Sequence, residues 1–266
     1  MERVAPLVGR DERSLESFVE SPSGAQHPML AFLGADGHVP LVSLKSRSCV
    51  GSVKMNGTAR SAAFAADGNR LLTAGGDGTV YVWDLRNQRR CVERIVDDGA
   101  LNVTSLALSP TGGHLAVGSD SGVVNVYDNA GVGGWSANGI DGHVRARQGV
   151  GLGLGGTGPA SGMGSTGGMQ RAVRREPVRA LMNLTTAIDT TTFNGDGQIL
   201  AVSSRLKRDA LRLVHIPSCT VFSNWPSSKT PLHYVWCTAF SPTGGYLAVG
   251  NARGRALLYR IHAYNV

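Results

Sequence analysis

Seven histidines, four cysteines and 19 carboxylates are the groups of this 266-residue chain that would do chemistry if their spacing let them act together. His27, His38, His114, His143, His215, His233 and His262 are scattered, with no H-E-x-x-H pair to hold a zinc ion. No serine sits in a nucleophile elbow. Cys49, Cys91, Cys219 and Cys237 lie far apart, without a C-x-x-C or a Cys/His spacing that suits zinc. Four reduced thiols in or near a core are expected, which fits a cytosolic or nuclear compartment. Acidic residues gather in turns, at Asp67, Asp77 and Asp120, where a carboxylate accepts from nearby backbone amides. The run G-L-G-L-G-G at 151–156 has the form of a dinucleotide fingerprint. However, no strand precedes it, no helix pattern follows, and no acid stands at the required distance. The expectation is no catalytic residue, no metal site and no cofactor. An enzyme would need histidines or carboxylates brought together from distant parts of the chain.

Binding chemistry is better represented. Lys and Arg number 26 against 19 Asp and Glu, a net charge of +7 that permits an RNA or acidic-protein partner. Arg205, Lys207 and Arg208 form a basic turn between two strands, and Trp225 stands in a loop-forming Asn-Trp-Pro. Basic plus aromatic suits a protein or RNA contact, while Trp225 equally suits packing between repeats. Arg145, Arg147, Arg171, Arg174, Arg175 and Arg179 face only Asp141 and Glu176 within 129–180. A basic loop of that kind would meet RNA phosphate and release counterions, or serve as a solvated linker. Trp83-Asp84-Leu85-Arg86 resembles the W-D-x-R motif of substrate receptors for cullin–RING ubiquitin ligases, which would point Arg86 at an adaptor.

The elements that must position these residues follow from composition and repetition. Glycine is abundant, 36 residues, and aromatics are only 6%. Many glycines among short apolar runs favour an all-β chain. No apolar run approaches the ~20 residues of a membrane-spanning helix, and the charged start is not a secretory signal. Four stretches align, 61–84, 104–128, 189–216 and 236–261, with a weaker copy at 14–44. Their anchors are Phe18, Phe64, Leu108, Phe193 and Phe240, at steps of 46, 44, 85 and 47. The long step is one ordinary step plus an insertion, so the period matches the ~40–45 residues of a propeller blade. Each unit reads as three strands joined by two turns. Gly68, Gly112, Gly197 and Gly244 supply the first turn, and Asp77-Gly78, Ser121-Gly122 and Arg253-Gly254 the second. Ala74, Ala116, Ala201 and Ala248 stand mid-strand, where sheets converging on an axis leave room only for small side chains. Residues 1–128 would hold three blades, 129–180 a Gly-rich low-complexity insertion with 15 glycines, and 181–266 the last two blades. Five blades are visible, which reads either as a partial propeller lacking N-terminal blades or as a five-blade ring. The partial propeller is the reading adopted.

This repeat resembles the WD-repeat β-propeller family. Val82-Trp83-Asp84 is its one full Trp-Asp ending; Asp128 keeps the acid after Tyr127, and Arg260 replaces it after Tyr259. The family braces each blade with hydrogen bonds among a Ser/Thr, an Asp, the Trp and an upstream Gly-His. The resemblance implies such a brace at Thr73, Asp77 and Trp83, without the Gly-His. KMNG (54–57), LKRDALRLVHIPS (206–218) and FSNWP (222–226) are more specific, and resemble the U3 small nucleolar RNA-associated branch of that family. That resemblance implies a non-enzymatic, nucleolar scaffold of the small-subunit processome, a ribonucleoprotein acting in pre-rRNA processing and small ribosomal subunit biogenesis. It also implies partners among the processome proteins, the U3 small nucleolar ribonucleoprotein and pre-rRNA, with no membrane and no small-molecule substrate.

Overall fold

A computed structural model describes residues 14–87, 91–97, 99–128, 173–227 and 230–262. The expected structureless stretch at 129–172, with Arg145, Arg147 and Arg171, lies outside the described residues. The regular elements are β-strands and one short 3-10 helix, Leu85–Asn87.

The first sheet runs β1 (Leu15–Glu20), β2 (Met29–Gly34), β3 (His38–Ser43), β4 (Ser48–Lys54), each antiparallel to the next. The second repeats this with β5 (Ala59–Phe64), β6 (Arg70–Gly75), β7 (Thr79–Asp84) and β8 (Cys91–Val96). The third has β9 (Val103–Leu108), β10 (His114–Ser119) and β11 (Val124–Asp128). After the insertion, β12 (Val173–Arg174) lies parallel on β8, and β13 (Arg179–Leu181) completes the third sheet beside β11. The fourth is β14 (Thr190–Phe193), β15 (Ile199–Ser203), β16 (Leu211–His215) and β17 (Thr220–Val221). The fifth is β18 (Val235–Phe240), β19 (Tyr246–Asn251) and β20 (Ala256–Arg260).

The leading strands β1, β5, β9, β14 and β18 pack against one another in chain order, so the sheets stand side by side. No sheet holds a core alone; the apolar side chains meet in four clusters, each between two successive sheets. This is why β6 is buried at all six positions although strands with one wet face alternate. Leu71 fills the space toward the first sheet while Leu72 and Ala74 fill that toward the third. A register-matched leucine recurs at every junction. Leu71, Leu115, Leu200 and Leu247 lie opposite Phe64, Leu108, Phe193 and Phe240 on the leading strands, and each belongs to a different cluster. Such units are stable only through their neighbours.

The outer faces of the first and fifth sheets are correspondingly bare. Phe18 is 62% exposed and Leu258 68%. The anchor role expected for Phe18 therefore yields a surface residue leaning on Phe32, because no described sheet precedes it.

The first turns of the second to fifth sheets carry their glycines at positive φ, between 69° and 76° at Gly68, Gly112, Gly197 and Gly244, as expected. Gly78 in a second turn shows the other constraint: its φ is +66°, and a Cβ there would stand 2.4 Å from the Ala100 carbonyl oxygen. The mid-strand alanines Ala74, Ala116 and Ala201 are fully buried.

Three expectations need correction. Four of the five units have four strands rather than three, because an outer strand follows the Trp-Asp position. The final residues of 129–180 are not structureless, since β12 and β13 add to two sheets. The thiols are not all near a core: Cys91 is buried and Cys219 half-buried, but Cys49 and Cys237 are exposed.

Candidate nucleic-acid interface

The expected brace is divided in two. Trp83 Nε1 donates to Thr73 Oγ1 at 2.9 Å, and Thr73 is fully buried. Asp77 does not join them. Its Oδ1 accepts from the Thr79 amide at 3.1 Å, and its Oδ2 takes the Tyr81 hydroxyl. Without a histidine to relay it, the turn carboxylate bonds within its own hairpin. Burial, then this bond to Asp77, pushes the Tyr81 hydroxyl up to about 12.

The third sheet is braced by a residue with no counterpart in the sequence reading. Asp97 is 3% exposed. It accepts from Asn125 Nδ2 at 3.2 Å on both oxygens and from Tyr127 Oη at 2.5 Å. A buried carboxylate is tolerable where donors surround it. Asp97 stands after β8 of the second sheet, and its donors are on β11 of the third, so it ties two sheets together. Nothing local marks it, since its donors lie 28 and 30 residues away.

The second turns and the segments leading into the next sheet share one rim. The Asp97 amide donates to the Gly78 carbonyl, and the Ile188 amide to the Ser119 carbonyl. In the same way Asp209 and His233 exchange bonds. The Asp209 amide donates to the His233 carbonyl at 2.8 Å, and the His233 amide to Asp209 Oδ1 at 2.7 Å. The Ala252 amide then donates to the Tyr234 carbonyl at 3.0 Å. Turn 204–210 of the fourth sheet, lead-in 230–234 and turn 252–255 of the fifth are thereby locked into one surface.

Arg205, Lys207 and Arg208 lie on that surface and are exposed. Arg205 is pinned: its amide and its Nε both bond Asp189, at 2.7 and 2.9 Å, and its guanidinium lies 5.5 Å from the Trp236 ring centroid. Arg208 reaches Asp209 at 3.4 Å. Arg253 and Arg255, from the facing turn, are exposed as well. Their proximity is felt at His233, which is held below its ordinary value, first by desolvation and next by the charges of Arg253 and Arg208.

The other singled-out residues do not join this surface. Trp225 packs edge-to-face on Tyr259, 5.0 Å between centroids, and is half-buried between the fourth and fifth sheets. It lines a cavity of about 370 Å³ with Ile199, Leu213 and Leu247. Arg86 is exposed and paired with Asp84, with its Nη2 2.9 Å from Oδ2 and its Nε 3.1 Å from Oδ1. This fork holds the Asp84 carboxyl below its ordinary value. Arg175 is not part of a basic loop; its side chain is 9% exposed and meets Glu93 at 2.6 Å, fastening the chain to β8. Arg179 is exposed on β13, and Arg174 contributes backbone to β12. Among the described residues no group of three His, Cys, Asp or Glu is placed to hold a metal ion. The sequence reading missed Tyr234, Trp236, Arg253 and Arg255. Their signal was available: the fifth turn reads N-A-R-G-R where the second reads G-G-D-G.

Comparison with known proteins bears on the same chain. Residues 47–84 and 91–128 match the family model described as WD domain, G-beta repeat. The chain is 40% identical over 99% of its length to the U3 small nucleolar RNA-associated protein 18 homolog of Arabidopsis thaliana, of which it covers 40%. The Homo sapiens homolog is 36% identical over 98% of the chain, again covering 40% of that protein. The Saccharomyces cerevisiae protein of that name is 30% identical over 99%, covering 43% of it. The chain thus spans about two-fifths of the length of these curated relatives. With WD repeats matched at 47–84 and 91–128, antiparallel sheets that stand side by side, and likeness along nearly its full extent, the chain is homologous to U3 small nucleolar RNA-associated protein 18 and its fold is consistent with part of a WD-repeat propeller.

Proposed function

We propose that this chain is a non-enzymatic scaffold of the small-subunit processome, acting with the U3 small nucleolar ribonucleoprotein in pre-rRNA processing and small ribosomal subunit biogenesis, in the nucleolus. The observation that carries this reading is homology over nearly the whole chain to plant, mammalian and yeast relatives whose names tie them to the U3 small nucleolar RNA. The architecture supports it: the buried polar groups Thr73 and Asp97 brace sheets, while charged and aromatic side chains are displayed on turns. Arg205, Lys207 and Arg208 are the contact residues of this scaffold, and its partners are processome proteins and RNA. Imaging of the tagged gene product against a nucleolar marker, with recovery of U3 RNA on purification, tests the reading. Nucleolar signal with U3 enrichment is expected; a cytoplasmic protein free of U3 would overturn it.

A further inference from the structure

We infer that the rim where the fourth and fifth sheets meet is a docking surface for single-stranded RNA, with an unpaired base stacked on Trp236 and the phosphates held by Arg205, Lys207, Arg208, Arg253 and Arg255. The inference deepens the processome reading and rests on it for the biological source of the RNA alone.

Trp236 is the second residue of β18 yet is 57% exposed, and Tyr234, two residues before it, is 45% exposed. Two large aromatics on the surface, two residues apart, leave apolar area in water, where partner sites are found. The Trp236 ring is not loose: Arg205 lies against it, and Asp189 holds Arg205 in place by its side chain and amide together. A fixed ring with an open area is a stacking platform, and base–aromatic stacking tolerates any base. Arg205 lies on the ring, and Lys207, Arg208, Arg253 and Arg255 are exposed on the two adjoining turns, while Asp189 and Asp209 are already engaged with Arg205 and Arg208. Lys207, Arg253 and Arg255 have no carboxylate partner among the described residues. The turns that carry them are hydrogen-bonded to a common lead-in, so the charges are arranged before a ligand arrives. His233 is held below its ordinary value first by desolvation and then by the nearby charges of Arg253 and Arg208.

Single strands fit this surface better than duplex. A duplex hides its base faces in the stack and would leave Trp236 idle, whereas a single strand offers both a base and a phosphate chain. An acidic peptide would satisfy the arginines but would gain little from the ring.

Fluorescence anisotropy with the full chain and a labelled 12-nucleotide oligo(U) tests this, beside a duplex RNA of equal length and a poly-glutamate peptide as competitors. Trp236→Ala is expected to weaken oligo(U) about 5- to 150-fold, the range of one base–aromatic stack. Arg253→Glu with Arg255→Glu is expected to weaken it at least tenfold and to flatten the salt dependence by about 1.4 in log–log slope, about 0.7 per phosphate contact. These side chains are exposed, and circular dichroism confirms that each variant is folded. Wild-type affinity in both variants would overturn the inference, as would duplex or poly-glutamate competing as well as oligo(U) while Trp236→Ala is inert. Failure here with U3 recovery intact removes only the RNA rim. Oligo(U) binding by a protein that recovers no U3 removes only the processome reading.

Discussion

The second turns of the first three sheets and those of the last two occupy the same rim but carry opposite charge. Asp36, Asp77 and Asp120 mark the first three, with no Lys or Arg among their central residues; Arg205, Lys207, Arg208, Arg253 and Arg255 mark the last two. The backbone needs of the turn do not explain the change. Gly37, Gly78, Gly122 and Gly254 all take φ between 66° and 86°. The fourth turn is longer and places Asp209 at φ 57° instead. What the scaffold requires is a left-handed residue and a docking amide or carbonyl, and the remaining positions are at liberty to carry chemistry. One face of an otherwise uniform array is thereby made different without any change in its core.

If the scaffold is common and only the rim differs, the largest effects on stability should come from the four matched leucines and be alike. Leu71→Ala, Leu115→Ala, Leu200→Ala and Leu247→Ala each remove a side chain that is at most 1% exposed. Each is expected to cost about 2–5 kcal/mol in chemical denaturation, since the junction cannot close on the cavity. Phe18→Ala, on the bare face, should cost under about 1 kcal/mol. A large loss there would mean that the outer face of the first sheet is covered in solution.

The brace gives smaller effects. Trp83→Phe keeps an aromatic ring but removes the indole N–H that bonds the buried Thr73 hydroxyl, and about 1–3 kcal/mol should be lost. Gly78→Ala must place a Cβ in a left-handed turn beside the Ala100 carbonyl, and should cost at least about 1 kcal/mol. The same turn makes a pH prediction. Tyr81, raised to about 12, favours the fold while protonated. Its contribution is therefore complete below the ordinary phenol value of about 10 and is lost as pH rises from there toward 12. Ultraviolet titration should show Tyr81 ionising late, beside a Tyr259 also raised by burial, and Asp77→Asn should bring Tyr81 part of the way down. Least disruptive is thiol labelling of the native chain. Cys49 and Cys237 should react at once, whereas Cys91, buried and with its thiol pushed up by burial, should wait for unfolding.

How much of this was legible depends on range along the chain. The repeat, the first-turn glycines and the alternating second and third strands are local patterns, and they mark the fold directly. The outer strands β4 and β8 escaped because they are half-exposed and lack an apolar face: Ser48–Lys54 buries one residue of seven. The pairing of β12 with β8 escaped because its residues are nearly 80 apart in sequence. Arg175 shows the same limit. Counted by composition it belonged to a basic loop, but a glutamate 82 residues earlier takes its charge. Trp225 and Trp236 differ for a reason of packing: the Asn-Trp-Pro loop folds into the gap between two sheets, while Trp236 on β18 is 57% exposed with Arg205 on its ring. The basic fifth turn was readable by comparing equivalent turns, and only the docking of turn 204–210 on lead-in 230–234 shows that two basic turns make one surface.

Ultraviolet cross-linking of the full-length protein to RNA in cells, followed by mass spectrometry of the nucleotide-bearing peptides, puts the claim about the rim to the most direct test. Adducts are expected on the peptide spanning Tyr234 and Trp236, and to vanish with Arg253→Glu and Arg255→Glu. Adducts confined to the acidic turns of the first three sheets, or RNA-free peptides from the junction of the last two, would contradict it.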